Sequence, residues 1–218
     1  MALGYVRPAR PDEADEIARI QLVTWRTAYR RLIPRHVLDE LDQDWLGGRW
    51  REAIEAPPSV RHRVLVAVEQ AEQSYLAGFV ATGPADESAL VPGEDPGALG
   101  PDAATIIELL VEPRWGRRGH GSRLLAATVD LWREDGFGTA VAWAYEQDEA
   151  TRKFLGSAGW AADGAERSLD VDDLLVPQLR WHVSLATSTE TAETAVSAVS
   201  AEVEQGTEAH GETGPAEH

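Results

Sequence analysis

The sequence predicts an α+β domain, a mixed β-sheet covered by helices, over residues 1–185, followed by an acidic tail at 186–218. Three observations predict it. Strand-like and helix-like patterns alternate along the first 185 residues. An apolar strand pattern at 104–111 runs through a glycine-rich loop straight into an apolar-striped helix at 121–135. Residues 178–185 alternate with period two, Leu179, Trp181, Val183 and Leu185 facing one way and Gln178, Arg180, His182 and Ser184 the other.

Each element has its own signal. Gly4–Arg7 reads as a short extended start. Pro11-Asp12-Glu13 opens a helix, because proline suits the first helical position and acids suit the positive end of the dipole. That helix is expected to reach about Tyr29. Pro34 opens a second helical stretch, with Val37, Leu38, Leu41, Leu46 and Trp50 spaced for one face, and Pro57-Pro58 ends it. His62–Glu69 and Tyr75–Thr82 read as two strands joined by a short polar turn. Residues 83–102 hold four glycines, four prolines and five acids, a loop of a length that is often functional. After the 104–111 strand and the 121–135 helix, Gly136 is the stop and Thr139–Tyr145 the next strand, with Val141, Trp143 and Tyr145 on one face. Asp148 caps a short helix that ends near Gly159, and Trp160 begins an irregular strand region.

Composition narrows the function classes. No apolar run approaches the roughly 18–20 residues that span a bilayer, and the N-terminus lacks the apolar core of a secretory signal. There is no cysteine among 218 residues, which excludes disulfides, thiolate metal sites and a cysteine nucleophile and fits a cytoplasmic protein. A net charge of −17 argues against a broad phosphate-backbone footprint, so no nucleic-acid partner is expected. The tail carries seven glutamates, no lysine or arginine and no aromatic residue, too little apolar surface to offset the entropy of ordering, and is read as disordered. His36, His62 and His182 are scattered without ligand spacing, so no metal is expected.

The chemistry concentrates at residues 106–125. A strand ends at Val111, and a loop with Gly116, Gly119 and Gly121 and with Arg117 and Arg118 enters a helix. Glycines allow close backbone approach, the helix N-terminus offers unpaired N–H groups, and the arginines add charge-assisted donors. Together these suit a pyrophosphate. The Walker-type pattern fails because no lysine follows Gly121, and the dinucleotide pattern fails because Leu124 stands where its third glycine would.

Val111-Glu112-Pro113 followed by Gly119-His120-Gly121-Ser122, then Leu124-Leu125, the 139–145 strand and Phe154-Leu155-Gly156-Ser157-Ala158-Gly159-Trp160, resembles the acetyl-coenzyme A motif of the GNAT superfamily of N-acetyltransferases. Thr24-Trp25-Arg26 through Pro34 is similar to one bacterial subgroup of it, so the likeness covers about residues 4–185. Three positions depart from the family pattern. Gly116 stands where arginine or glutamine is usual, with Arg117 where glycine is common. Asp148 replaces an asparagine. Leu155 occupies the place of the tyrosine that often protonates the departing thiolate.

The resemblance implies a sheet splayed between the strands ending at Val111 and Tyr145, with the pantetheine arm of acetyl-CoA in the gap. It implies backbone contacts from Leu109, Leu110 and Val111, and a phosphate cradle of Gly116, Arg117, Arg118, Gly119, His120, Gly121 and Ser122. His120 is expected to contribute its backbone rather than its ring. The implied activity is direct acetyl transfer to a primary amine of a small molecule or a peptide, without metal; a homodimer is compatible with it. An amine must lose a proton to attack. Glu108, the only ionisable residue in 105–111, is the candidate base, and the alternative is that it is structural and paired with an arginine. Glu112 is the weaker candidate, expected in a solvated loop. Tyr145 is the candidate acid, with a packing role as the alternative. Trp25, Arg26 and Tyr29 are placed at the acceptor groove, though their types also suit the core. An acid-rich surface favours cationic acceptors, but net charge is a poor guide to a pocket. A catalytically weak coenzyme A sensor is the alternative function, supported by Leu155 and Gly116; a protein organised by its acidic tail is a third.

Overall fold

The structure, a computed structural model, describes residues 4–186 apart from Ala71 and Pro96. Except for Ala186, the acidic tail expected from the sequence lies outside the described residues.

Seven strands form one sheet: β1 (Tyr5–Pro8), β2 (Arg63–Gln70), β3 (Ser74–Pro84), β4 (Ala103–Val111), β5 (Thr139–Tyr145), β6 (Ala161–Val171) and β7 (Leu174–Ser184). Their spatial order is β1-β2-β3-β4-β5-β7-β6, and every neighbouring pair is antiparallel except β4 and β5. Helices α1 (Ala14–Ala28), α2 (Arg35–Glu40), α3 (Gln43–Glu55), α4 (His120–Glu134) and α5 (Glu149–Ser157) cover it. The parallel β4–β5 connection runs through α4, whose apolar stripe must lie on the sheet.

Two layers of side chains sandwich the sheet. On one face Ile17 and Ile20 of α1 pack on Val66, Val68, Phe79 and Leu110. On the other, Leu124 of α4 packs on Leu65, Ala67 and Val80, while Leu125, Trp132, Leu155 and Trp160 close over Ala140, Ala142 and Ala144 of β5. The small residues on that face of β5 let α4 and α5 approach closely. Their neighbours Trp143 and Tyr145 therefore point to the α1 face.

Three stretches differ from the sequence expectation. The helical stretch expected from Pro34 to Pro57-Pro58 is two helices, because the Asp42 carboxylate accepts from Asp44 N (2.8 Å) and Trp45 N (3.1 Å) and starts α3 afresh. The irregular region expected after Trp160 is a long hairpin. Its two-residue turn, Asp172 and Asp173 with φ of 54° and 62°, takes the left-handed conformation that aspartate tolerates. Finally, the first half of the polar face of β7 is buried: Gln178 and Arg180 are each 6% exposed, while His182 and Ser184 stay exposed. The 83–102 segment is fastened over it, Arg180 bonding Glu94 and the carbonyl of Ala89, and Arg167 bonding the carbonyl of Ser88.

No helix among the described residues is long and apolar enough to cross a membrane. No group of three or more potential metal ligands occurs among them.

Candidate active site

The β4–β5 ladder is short. It pairs Ala103–Ile106 with Thr139–Ala142 and stops, although both strands run on. Past that point β4 is held only by β3, with Phe79 opposite Leu110 and Gly78 opposite Val111. The N–H of Glu112 bonds Ala77 O at 2.9 Å, which fixes the phase of the ladder. Leu110 is then spent on Phe79, while the amides of Leu109 and Val111 turn into the gap. Of the three strand residues expected to hold a cofactor by backbone, two present free amides and Leu110 does not.

A bulge starts the gap. Ala81 pairs with Glu108 and Thr82 with Ile106, leaving Ile107 as the extra residue, 59% exposed. Simple alternation would place Ile106 and Glu108 on one face. With the bulge, Ile106, Leu109 and Val111 pack on the α4 side and Glu108 joins Leu110 on the α1 side. The sheet irregularity thus turns the carboxylate toward Trp25 and Gln21 of α1 rather than toward α4.

Glu108 is half-buried. Loss of solvent pushes its carboxyl up to about 7, and the Trp25 indole and Gln21 amide offset part of the rise. Among the described residues no arginine pairs with it, unlike the ion-paired alternative. Its charge is felt by two tyrosines, Tyr29 at the end of α1 and Tyr145 at the end of β5. Their rings meet edge to face with centroids 4.9 Å apart. Burial, then the Glu108 charge, raises both hydroxyls, Tyr145 to about 12, so both stay protonated near neutral pH and can donate. Trp25 also packs between two apolar clusters, serving the core and the site at once. Arg26 does not reach the site: it is exposed, and its guanidinium bonds the carbonyls of Leu38 and Leu41 at the end of α2.

Glu112 corrects the sequence reading. It is 4% exposed rather than solvated, bonded to Arg19 at 2.9 and 3.2 Å and paired with Arg114 at 2.9 Å. Burial pushes its carboxyl up, but the arginines outweigh this and hold it below the ordinary range. It fastens α1 to the end of β4. Leu155, where the family carries its tyrosine, is 3% exposed and packed on Ala144 and Leu125.

The loop between β4 and α4 keeps the features that suit an anion. Gly119 caps α4 with φ of 79°, and no side chain bonds the first N–H groups of the helix. Arg117 takes φ of 60°, the left-handed conformation that glycine adopts freely at this place in the family pattern. Gly116 has an ordinary φ of −57°, so its lack of a side chain is not a backbone need. A Cβ on Gly121 would lie 3.4 Å from the Phe154 ring of α5, in ordinary contact, so this glycine is sterically tolerant of one carbon. From Ser122 a cleft of about 400 Å³ continues between α4 and α5, on the face of β5 opposite Tyr145, past Ala126, Phe154 and Ser157.

One part of this loop escaped the sequence reading. Glu69 at the end of β2 is 2% exposed and receives Arg118 at 3.1 Å. His120 Nε2 lies 2.9 Å from its other oxygen, away from the ideal hydrogen-bond direction. The Arg123 guanidinium, which can only donate, approaches His120 Nδ1 at 3.1 Å, so the ring proton belongs on Nε2, toward Glu69. The His120 ring, 1% exposed, is a buried tie rather than a ligand contact. Gln21 was also missed. A polar residue at 21, between Ile17 and Trp25 on the buried stripe of α1, was the available signal.

The comparisons agree with this geometry. The Acetyltransferase (GNAT) family matches residues 17–160. A Bacillus subtilis protein, the uncharacterized N-acetyltransferase YuaI, is 29% identical over 143 residues, 66% of this chain and 72% of its own. Among solved structures, yncA of Salmonella typhimurium with its cofactor acetyl-CoA aligns at a TM-score of 0.60 and 18% identity, over 84% of this chain and 94% of that one. The paia N-acetyltransferase of Thermoplasma acidophilum in complex with coenzyme A aligns at 0.57 and 12%, over 84% and 99%. With the splayed sheet, the glycine-capped α4 and the family match over most of the folded residues, the chain belongs to the GNAT family of acetyltransferases.

Proposed function

We propose that the protein transfers the acetyl group of acetyl-CoA directly to a primary amine, with Glu108 as the base and Tyr145 as the acid. The observation that carries this reading is the placement of a lone carboxyl, pushed up to about 7, where the β4–β5 ladder ends. A base of that strength is poised to take a proton near neutral pH.

The residues present fit acetyl-CoA. The gap is as long as the unpaired ends of β4 and β5, the amides of Leu109 and Val111 open into it, and α4 offers an uncapped N-terminus beside Arg117 and Ser122. Bound there, acetyl-CoA supplies an activated acyl group as its thioester. The chain's own residues do the rest. The amides of Leu109 and Val111 hold and polarise a carbonyl oxygen in the gap. Glu108 takes the proton of the incoming amine, with Trp25 and Gln21 beside its carboxyl. Tyr145, which Leu155 cannot replace, donates to the leaving sulfur. Trp25 and Tyr29 line the acceptor side, and Gly116, Arg118, Gly119, His120 and Gly121 shape the pyrophosphate cradle.

Free thiol released from acetyl-CoA, measured with a panel of amines, tests the reading. Amine-dependent release that fails without acceptor is expected. Tight coenzyme A binding with no amine-dependent release from any acceptor would instead identify a coenzyme A sensor.

A further inference from the structure

Two arginines share the face of Trp143, and they are not in the same electrical state. Arg180 of β7 lies 5.8 Å from the ring centroid and is neutralised twice over, by Glu94 at 2.7 and 2.8 Å and by Asp163 at 2.7 Å. Arg167 of β6 lies closer, 4.1 Å above the same ring, and has no carboxylate partner among the described residues. Its Nε donates to Gln178 Oε1 at 2.7 Å and its Nη1 to the carbonyl of Ser88. Both are neutral acceptors. They fix the guanidinium in place and, among the described residues, leave its charge uncompensated, with Nη2 undirected.

Sheet register puts this cation beside the reaction centre. Tyr145 stands opposite Gln178, and Gln178 opposite Arg167, so the three lie in line across β5, β7 and β6 on one face. The Arg167 side chain reaches back over Trp143, two residues before Tyr145 on the same strand. Tyr145 accordingly feels the negative charge of Glu108 from one side and the positive charge of Arg167 from the other. Arg167 is half-buried, and burial pulls its pKa below the ordinary arginine value, with Tyr145 opposing. A fixed cation taken partly out of water with no counter-ion is costly unless a ligand supplies one.

We infer that Arg167 is the acceptor's anion site, and that the acceptor is a short amine bearing one carboxylate, a free amino acid or a close relative, rather than a polyamine or an aminoglycoside. This rests on the acetyl-transfer reading above. The carboxylate lies at Arg167 and the amine turns toward Tyr145 and the gap, from which Glu108 takes its proton. A monoanion matches the one charge of Arg167, whereas a dianionic phosphate would leave excess negative charge beside Tyr145. The inference also reverses the expectation from net charge. The chain is acidic overall, but Arg167 is a cation without a carboxylate partner among the described residues.

The test is turnover of the common amino acids, each against its own carboxamide, at saturating acetyl-CoA. At least one free acid is expected to exceed its amide by tenfold or more in kcat/KM. Arg167→Gln should raise KM for that acid roughly 10–100-fold, the range for one lost charge-assisted hydrogen bond, with kcat changed by only a few-fold and the preference for acid over amide gone. Arg167→Lys, which keeps the charge but not the fork, should restore part of it and serves if the Gln variant folds poorly. Equal turnover of acids and amides, or an equal loss for both in the variants, overturns the inference while leaving acetyl transfer intact. If no amine is acetylated, the acetyl-transfer reading fails by itself, and calorimetry of the same amino acids with coenzyme A-loaded protein decides the site. Binding that requires Arg167 supports it, and no binding overturns it.

Discussion

Trp50 of α3 donates its indole N–H to Oε1 of Gln21 at 2.8 Å, and that bond decides which end of the Gln21 amide turns to Glu108. With the oxygen engaged, the amide presents its NH2 group to the carboxyl. Two helices thereby set the chemistry of a strand residue. Glu108→Gln keeps shape and one accepting oxygen but removes the base. Turnover is expected to fall by about 10²–10⁴-fold with coenzyme A affinity near wild type, and the rise in rate through about pH 7 should vanish. Steady-state kinetics from about pH 5.5 to 9, on both sides of the raised pKa, check this. Normal turnover with an unchanged profile would make Glu108 structural.

Two carboxylates four positions apart should move stability in opposite directions with pH. The folded-state pKa of Glu108 lies above its unfolded value of 4.5, so its favourable contribution is present at low pH and is lost as pH rises toward about 7. Glu112 is held below 4.5 by Arg19 and Arg114, so its contribution is present above that value and is lost in acid. Melting curves should show Glu108→Gln gaining on wild type as pH rises from about 4.5 to 7, and Glu112→Gln losing least against wild type at the acid end. Parallel curves for either variant would contradict the corresponding assignment.

Arg117 stores strain. A non-glycine residue at φ of 60° costs about 1 kcal/mol relative to glycine, part of which glycine returns as chain entropy. Arg117→Gly is expected to melt no lower than wild type, and up to a few degrees higher, while binding coenzyme A more weakly for lack of the cation. Calorimetry and thermal unfolding separate the two effects, and a clear fall in melting temperature would mean that the side chain stabilises the loop.

Glu69→Ala removes the buried acceptor shared by Arg118 and His120. Stability should drop by ~1–3 kcal/mol, less than for a fully buried pair because Arg118 is half-exposed. Coenzyme A affinity should fall with it, because the loop that Glu69 braces carries the cradle. Urea unfolding beside calorimetry reads both; unchanged affinity would detach Glu69 from the cradle.

Gly121→Val should fold and lose coenzyme A. The backbone at 121 is helical and the first carbon has room beside Phe154 at 3.4 Å, so the expected loss comes from the branches filling the groove mouth. Near-normal affinity would place the phosphates elsewhere.

Much of this was legible in the sequence, and the reasons for the rest are physical. The strand at 139–145, the α4 helix and the Asp148 cap appear where pattern and capping chemistry place them, because those signals are local. The bulge at Ile107 could not be read, since it exists only as a mismatch between two strands, and it is what turns Glu108 from its neighbour's face. Glu112 looked solvated because its partner Arg19 is 93 residues away in sequence. Arg167 had no sequence signal at all: its meaning lies in the acid it lacks and in the lateral register of three strands.

The four-rung seam between β4 and β5 has a consequence for the lifetimes of individual protons. Amides of Ala104–Ile106 sit in a complete ladder, while those of Leu109 and Val111, a few residues along the same strand, face a gap with no strand across it. Deuterium should therefore enter one β-strand at two rates when the protein is free. Filling the gap with coenzyme A should slow exchange at Leu109 and Val111 and leave their buried neighbours as they were.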